Sequence, residues 1–198
     1  MFYVRIALSS LLIAALAPAL FTTAPSSAAA ASVAEPAAPT VGFGRIGKAR
    51  AGMGVARAMG TGQFNRHVFY EVPGVCSRVF PLEPKRPWKN SYDVMVRRHR
   101  IQEMVVFDRN IRTEAGVGRG TTARKVANTY DVTRPIEVGY GQWALMAHNG
   151  RAGAERRWIA FVFGMAYTYE RQLRADDKVT WMSVSTGKRP SGWTVDGC

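Results

Sequence analysis

The chain has 198 residues, 47% of them hydrophobic, and a formal net charge of +13. Beyond the N-terminus no apolar run approaches the ~20 residues that span a membrane, so the alternative to a cleaved export signal is a single uncleaved N-terminal anchor. The surplus of cations attracts anionic partners at long range whatever the fold, and serves solubility in any case.

The N-terminus sets the compartment. Arg5 supplies a positive flank, Ile6 to Leu20 form an apolar stretch broken by Ser9, Ser10 and Pro18, and small residues follow up to Ala31. That order reads as an export signal over residues 1–31, with no cysteine nearby to take a lipid anchor. An alanine- and proline-rich lead-in, residues 32–41, is expected to be flexible. What remains is roughly 160 residues, enough for a compact fold that buries about two-thirds of its surface. An exported basic protein meets wall polymers, anionic lipid headgroups or acidic proteins, and no nucleic acid partner is expected. The expected location is secreted and extracellular, or associated with the cell wall, and the expected state is a monomer.

Cys76 and Cys198 are the only cysteines. In an exported chain such a pair reads as a disulfide, closing a loop of roughly 120 residues worth on the order of 4–5 kcal/mol. The other reading is two unpaired thiols. Nothing around Val75-Cys76-Ser77 supplies the base that a catalytic thiol needs.

Gly42 to Arg50 reads as an extended, glycine-spaced segment running into Gly52-Met53-Gly54. There a short helix begins, with Val55, Ala58, Met59 and Gly62 on one face. Gly54 is its N-cap, and the internal glycines leave its stability to packing. His67 to Val72 alternates as a strand and turns at Pro73-Gly74. Pro81, Pro84 and Pro87 mark a stiff basic loop ending at Trp88. Tyr92–Val96 and Ile101–Phe107 pair as a hairpin across Arg97-Arg98-His99-Arg100, a tip without the glycine that a tight turn prefers, which calls for a longer loop or pairing that starts further out.

Ile111 to Val117 reads as extended and leads to Gly120-Thr121-Thr122. A second helix follows from Ala123 to Tyr130, with Ala123, Val126, Ala127 and Tyr130 on one face and Thr122 as N-cap. Three further strands are expected, at Gln142–Ala147, Arg157–Tyr167 and Lys178–Ser185, with turns at Asn149-Gly150 and Asp176-Asp177. Gly52, Met53, Gly120 and Thr122 are thus the joints where strand hands over to helix. The recurrence predicts an α+β fold of two tandem modules, residues 42–110 and 111–198. Each would pack a short helix on three to four antiparallel strands, and the sheets can join into one concave surface.

Gly52-Met53-Gly54 and Gly120-Thr121-Thr122, each followed by a helix and antiparallel strands, resemble the Gly-Met-Thr module shared by SmpA/OmlA-type outer-membrane assembly lipoproteins and the beta-lactamase inhibitory proteins. Gly54 stands where that pattern has threonine and Thr121 where it has methionine. The tandem layout and the closing Val195-Asp196-Gly197-Cys198 are similar to those of uncharacterised secreted proteins of actinomycetes. The resemblance implies a concave sheet gripping a protein partner through aromatic side chains. The candidates are Trp88, Tyr92, Trp143, Trp158 and Trp181, with Tyr140, Tyr167 and Trp193 also on the predicted strands. Such residues are common interface anchors, but alternating aromatics more commonly form the core face of a sheet against helices.

The chemistry of catalysis is sparse. His67, His99 and His148 lack metal-ligand spacing, so no metal is expected. No Gly-x-Ser-x-Gly nucleophile motif occurs. Gly42-x-Gly44-x-x-Gly47 lacks the strand–helix unit and acidic partner of a dinucleotide site, and no cofactor is expected. Glu103, Asp108 and Glu114 share a region without forming an acid–base pair. A non-enzymatic binding protein engaging an extracellular or envelope protein follows. The alternative is a protein held on anionic wall polymer or lipid by Arg97, Arg98, Arg100, Arg156 and Arg157.

Overall fold

In chain order the elements are β1 (Val41–Gly42), β2 (Arg45–Ile46), β3 (Ala49–Arg50), α1 (Val55–Gly60), β4 (Phe64–Arg66), β5 (Leu82–Pro84), β6 (Tyr92–Arg97) and β7 (Arg100–Val106). Then come α2 (Ala123–Tyr130), β8 (Ile136–Gly139), β9 (Gln142–Asn149), β10 (Arg157–Phe163) and β11 (Val179–Thr186). They belong to a computed structural model that describes residues 37–66, 82–139, 141–153, 155–164 and 172–190. The export signal, the strand from His67, the turn at Pro73-Gly74, Tyr140, Tyr167, Trp193 and the Cys76–Cys198 pair lie outside the described residues. The fold is β-rich α+β.

Six strands form one antiparallel sheet in the order β6-β7-β11-β10-β9-β8. Alternation along each strand sends one set of side chains to each face. Leu145, Ile159, Phe161, Phe163, Met104, Val106, Met182 and Val184 share a core with Ala58 of α1 and Ala123 and Val126 of α2. Each such side chain, fully buried, stabilises the fold by about 1.5–3 kcal/mol relative to exposure. Val105, Ala144, Met146, Trp158, Ala160, Val162 and Trp181 form a second buried cluster, on the opposite strand positions.

The segment Gly42 to Arg50, read as extended, is instead a meander of three two-residue strands. Its tight turns are possible because Gly44 and Gly47 adopt φ of 65° and 55°, a region open to glycine. The meander sits over the sheet. Gly44 N–H donates to the Trp158 carbonyl at 3.2 Å, and Tyr130 bridges Phe43 and Phe161, with ring centroids 6.1 and 4.9 Å away.

Two other segments depart from the sequence reading. Leu82–Pro84, assigned to a stiff loop, pairs as a strand with Phe64–Arg66. Ile111 to Val117, read as extended, folds back on itself, with Thr113 N–H donating to the Val117 carbonyl at 2.8 Å and Arg112 bridging Gly118.

The hairpin tip needs no longer loop. Arg97 pairs directly with Arg100, and Arg98 and His99 both take left-handed conformations, with φ of 51° and 59°. This is the primed two-residue turn that matches strand twist, here built without glycine.

The two joints have the same backbone arrangement. Gly52 has φ of 85° and Gly120 has φ of 87°. At the first, Gly52 N–H donates to the Ile101 carbonyl (2.7 Å), Ile101 N–H to that of Met53 (2.9 Å) and Val55 N–H to that of His99 (3.0 Å). At the second, Gly120 donates to Val179, Val179 to Thr121 and Ala123 to Asp177, each at 2.8 Å. Each joint is therefore sewn to the start of a central strand, β7 or β11, and these two strands are neighbours.

Candidate functional site

The first joint opens into a cleft of about 750 Å³, whose charged lining is Lys48, Arg50, Arg57 and Arg100. Lys48 is carried by the turn between β2 and β3, where its N–H donates to the Gln63 side-chain carbonyl. Arg50 ends β3 and Arg57 projects from α1. Arg100 opens β7, and its Nη1 donates to the Gly52 carbonyl at 3.0 Å, its one side-chain hydrogen bond among the described residues.

The rest of the wall is Ala51, Gly52, Met53, Gly54, Gly60 and Thr61, so among the described residues no carboxylate lines the cleft. Among the described residues none of its four cations makes an ion pair. Like charges converging on one concavity raise the local potential and hold anions there. Arginine offers paired donors and lysine a point charge to phosphate or carboxylate oxygens. The one lining hydroxyl, Thr61, donates to the Ala58 carbonyl at 2.6 Å. The arrangement can hold an anion.

Two further hollows adjoin the cleft. One, of about 840 Å³, shares Arg50 and Ala51 and adds Arg45 and Arg157, together with Glu114 and Glu155. There Arg45 is bonded to Glu114. The other, of about 390 Å³, shares Lys48 and Thr61 and adds Lys85, Arg86, Pro87 and Trp88. Gln63 ties this side together: its amide also donates to the Ile46 carbonyl at 3.3 Å and the Tyr92 hydroxyl at 3.5 Å.

Of the arginines singled out in the sequence, Arg100 lies in the cleft and Arg157 in the neighbouring hollow. Arg97 and Arg98 are exposed at the hairpin tip. The Arg156 and Arg189 guanidinium carbons lie 5.5 and 5.6 Å from the Trp158 ring centroid, a cation–π arrangement. The sequence reading missed Lys48, Arg50 and Arg57. They form no run, and only the meander and α1 bring them to Arg100. The available signal was that three of them flank the first joint closely.

Three of the five aromatic anchors must be reassigned. Tyr92 is 1% exposed and stands edge-on to Phe64, so it is a core residue. Trp158 and Trp181 are 7% and 6% exposed, in the second apolar cluster. The cause is that the sheet buries side chains on both of its faces. Trp88 and Trp143 are half-buried. Burial pushes the Tyr92 hydroxyl up to about 12, against a small opposing effect of the Gln63 hydrogen bond.

Among the described residues no group of His, Cys, Asp and Glu is placed to hold a metal ion, and no helix is long and apolar enough to cross a membrane. Comparison with protein-family models, with curated proteins and with solved structures found no match.

Proposed function

We propose that this chain is an exported, non-enzymatic binding protein that holds an anionic cell-envelope polymer in the cleft at its first joint. The observation that carries this reading is the convergence of Lys48, Arg50, Arg57 and Arg100 on one concavity, with no carboxylate in its lining among the described residues. Cations kept unpaired at close quarters cost stability, and a ligand that neutralises them offsets that cost. Export is supported by the order of charge, apolar stretch and small residues at the N-terminus. The rival, a protein gripped by strand aromatics, has lost Tyr92, Trp158 and Trp181 to the core.

The scaffold is read as two tandem modules, residues 42–110 and 111–198, in keeping with the resemblance to the SmpA/OmlA-type module. Supporting this are three matching hydrogen bonds at each joint and glycine φ values of 85° and 87°. The register between β7 and β11 adds to it. Val105 lies opposite Ser183, with Met104–Val184 and Val106–Met182 on either side, as a two-fold relation between modules requires.

The test is binding of the purified protein to a synthetic glycerol phosphate polymer across a salt series. With four cations engaged, log affinity should fall against log salt with a slope of about −3, taking ~0.7 per contact as for single strands. Arg57→Ala and Lys48→Ala should each flatten the slope by about 0.7. Binding that ignores salt, variants that bind like the parent, or equal capture by anionic lipid vesicles lacking the polymer would refute the assignment.

A further inference from the structure

The cleft is not an isolated anion site. Its lining runs without a break into the hollow beside Trp88, because Lys48 and Thr61 belong to both. We propose that the two form one groove for a polymer of sugar-bearing polyol phosphates, with phosphate held at Lys48, Arg57 and Arg100 and the sugar ring laid on the indole of Trp88. This rests on the anion-binding reading above and deepens it.

Three observations lead there. First, the backbone at Trp88 is held in place before any ligand arrives. Its main-chain N–H donates to the Lys85 carbonyl at 2.9 Å, and its main-chain carbonyl accepts from Ser91 N–H at 3.1 Å. Lys85 N–H is in turn bonded to the Gln63 carbonyl at 2.9 Å, and Lys89 pairs with Glu83 at 2.9 Å. A loop that needs no ordering on binding is the kind that adds affinity. Trp88 packs against the core cluster while staying half-buried, so part of the residue is open to a ligand. The apolar C–H face of a sugar ring matches such a surface, while its hydroxyls need polar neighbours.

Second, those neighbours are present and charged. Lys48, Lys85 and Arg86 line the same hollow as Trp88. Cations beside an aromatic platform suit a ligand that carries one ring per phosphate along its length. A neutral sugar would need no cations, and a bare polyphosphate would need no indole.

Third, the hollow measures about 390 Å³, within the ~300–1,000 Å³ of small-ligand sites. The cleft beyond it, lined by small residues and cations, suits an unsubstituted linker. A single-stranded nucleic acid shares the ring-and-phosphate rhythm. The N-terminal export pattern favours the glycopolymer.

The experiment compares two synthetic glycerol phosphate polymers, plain and glucosyl-substituted, and an oligothymidylate, by titration of the full chain, Trp88→Leu, Trp88→Phe and Arg57→Ala. The parent should bind the glucosylated polymer about tenfold more tightly than the plain one, an effect within the range of a single stacking contact. Trp88→Leu should lose that preference while keeping its affinity for the plain polymer, which also reports that it is folded. Trp88→Phe should keep most of the preference, and Arg57→Ala should weaken both polymers alike. Equal affinity for the two polymers, a preference that survives Trp88→Leu, or tightest binding to the oligothymidylate overturns the proposal and leaves the anion cleft standing. Failure of the parent to bind either polymer removes the cleft reading itself.

Discussion

The turn at Arg98-His99 stores strain that can be released without touching the cleft. Both residues sit at φ near +55°, at 51° and 59°, where a side chain costs about 1–2 kcal/mol. Among the described residues neither side chain makes a hydrogen bond or ion pair that would offset this. The double substitution Arg98→Asn, His99→Gly supplies the residue types a primed turn prefers. Relief of ~2–3 kcal/mol is reduced by the extra freedom of glycine in the unfolded chain, ~0.4–1 kcal/mol, and by residual strain at asparagine. The net gain should be ~1–1.5 kcal/mol, which raises Tm by about 3–5 °C in a protein of this size. The hydrogen bond from Val55 N–H to the His99 carbonyl is a backbone contact and survives. Thermal unfolding followed by circular dichroism measures the shift, and polymer binding should be unchanged because neither side chain lines the cleft. An unchanged or lowered Tm would show that those side chains hold the turn, and the strain argument would fall.

Burial of the Tyr92 hydroxyl, pushed up to about 12, has a definite sign. Between pH 10 and 12 the unfolded chain gives up the proton that the folded one keeps, so stability falls as pH rises, by up to ~2–3 kcal/mol. Tyr92→Phe should flatten the alkaline limb in urea titrations at several pH values, and an unaltered slope would refute the assignment. The Arg45–Glu114 pair is 40% and 71% exposed, so Glu114→Gln should change stability by less than ~0.5 kcal/mol. Phe161, with 0% exposure and the Tyr130 ring 4.9 Å away, should cost ~3–5 kcal/mol as alanine in urea unfolding. A loss below ~1 kcal/mol would mean that the centre of the sheet can collapse around the gap.

Much of the second half was legible because its signals are local. The period of the second helix and its threonine cap place it at Ala123–Tyr130, where α2 lies. Alternation and turn residues place β9, β10 and β11 to within a few residues. The first half was harder. Two-residue strands such as β1–β3 are too short for any periodicity, and Pro84 argues against a strand unless that strand lies at an edge, as β5 does in its two-stranded pairing. The primed turn at Arg98-His99 is invisible to a rule that looks for glycine. Aromatics alternating on a strand carry no mark of whether one face or both are covered, and here that ambiguity misplaced Tyr92, Trp158 and Trp181. Runs of arginine drew attention to the hairpin tip, while the cleft draws Lys48 from a turn and Arg50, Arg57 and Arg100 from three separate elements.

The two joints differ in the side chains they carry. Their backbones match, yet the residue two places before Gly52 is Arg50, whereas the residue two places before Gly120 is Gly118. A Cβ at Gly118 would meet the Arg112 Cγ at 2.9 Å and the Ile111 carbonyl oxygen at 3.1 Å, so that position has no room for a cation. Four places before each glycine stand Lys48 and Gly116, and the residues that close the two joints from the sheet are His99 and Asp177. The second joint thus lacks two of the cations and carries a carboxylate in its place at the start of β11, although Lys125 and Lys178 remain near it. The first joint has the same hydrogen-bonded frame with the glycines replaced by Lys48 and Arg50. The frame is common to both joints, and the side chains added around Gly52 are what the proposed anion site rests on.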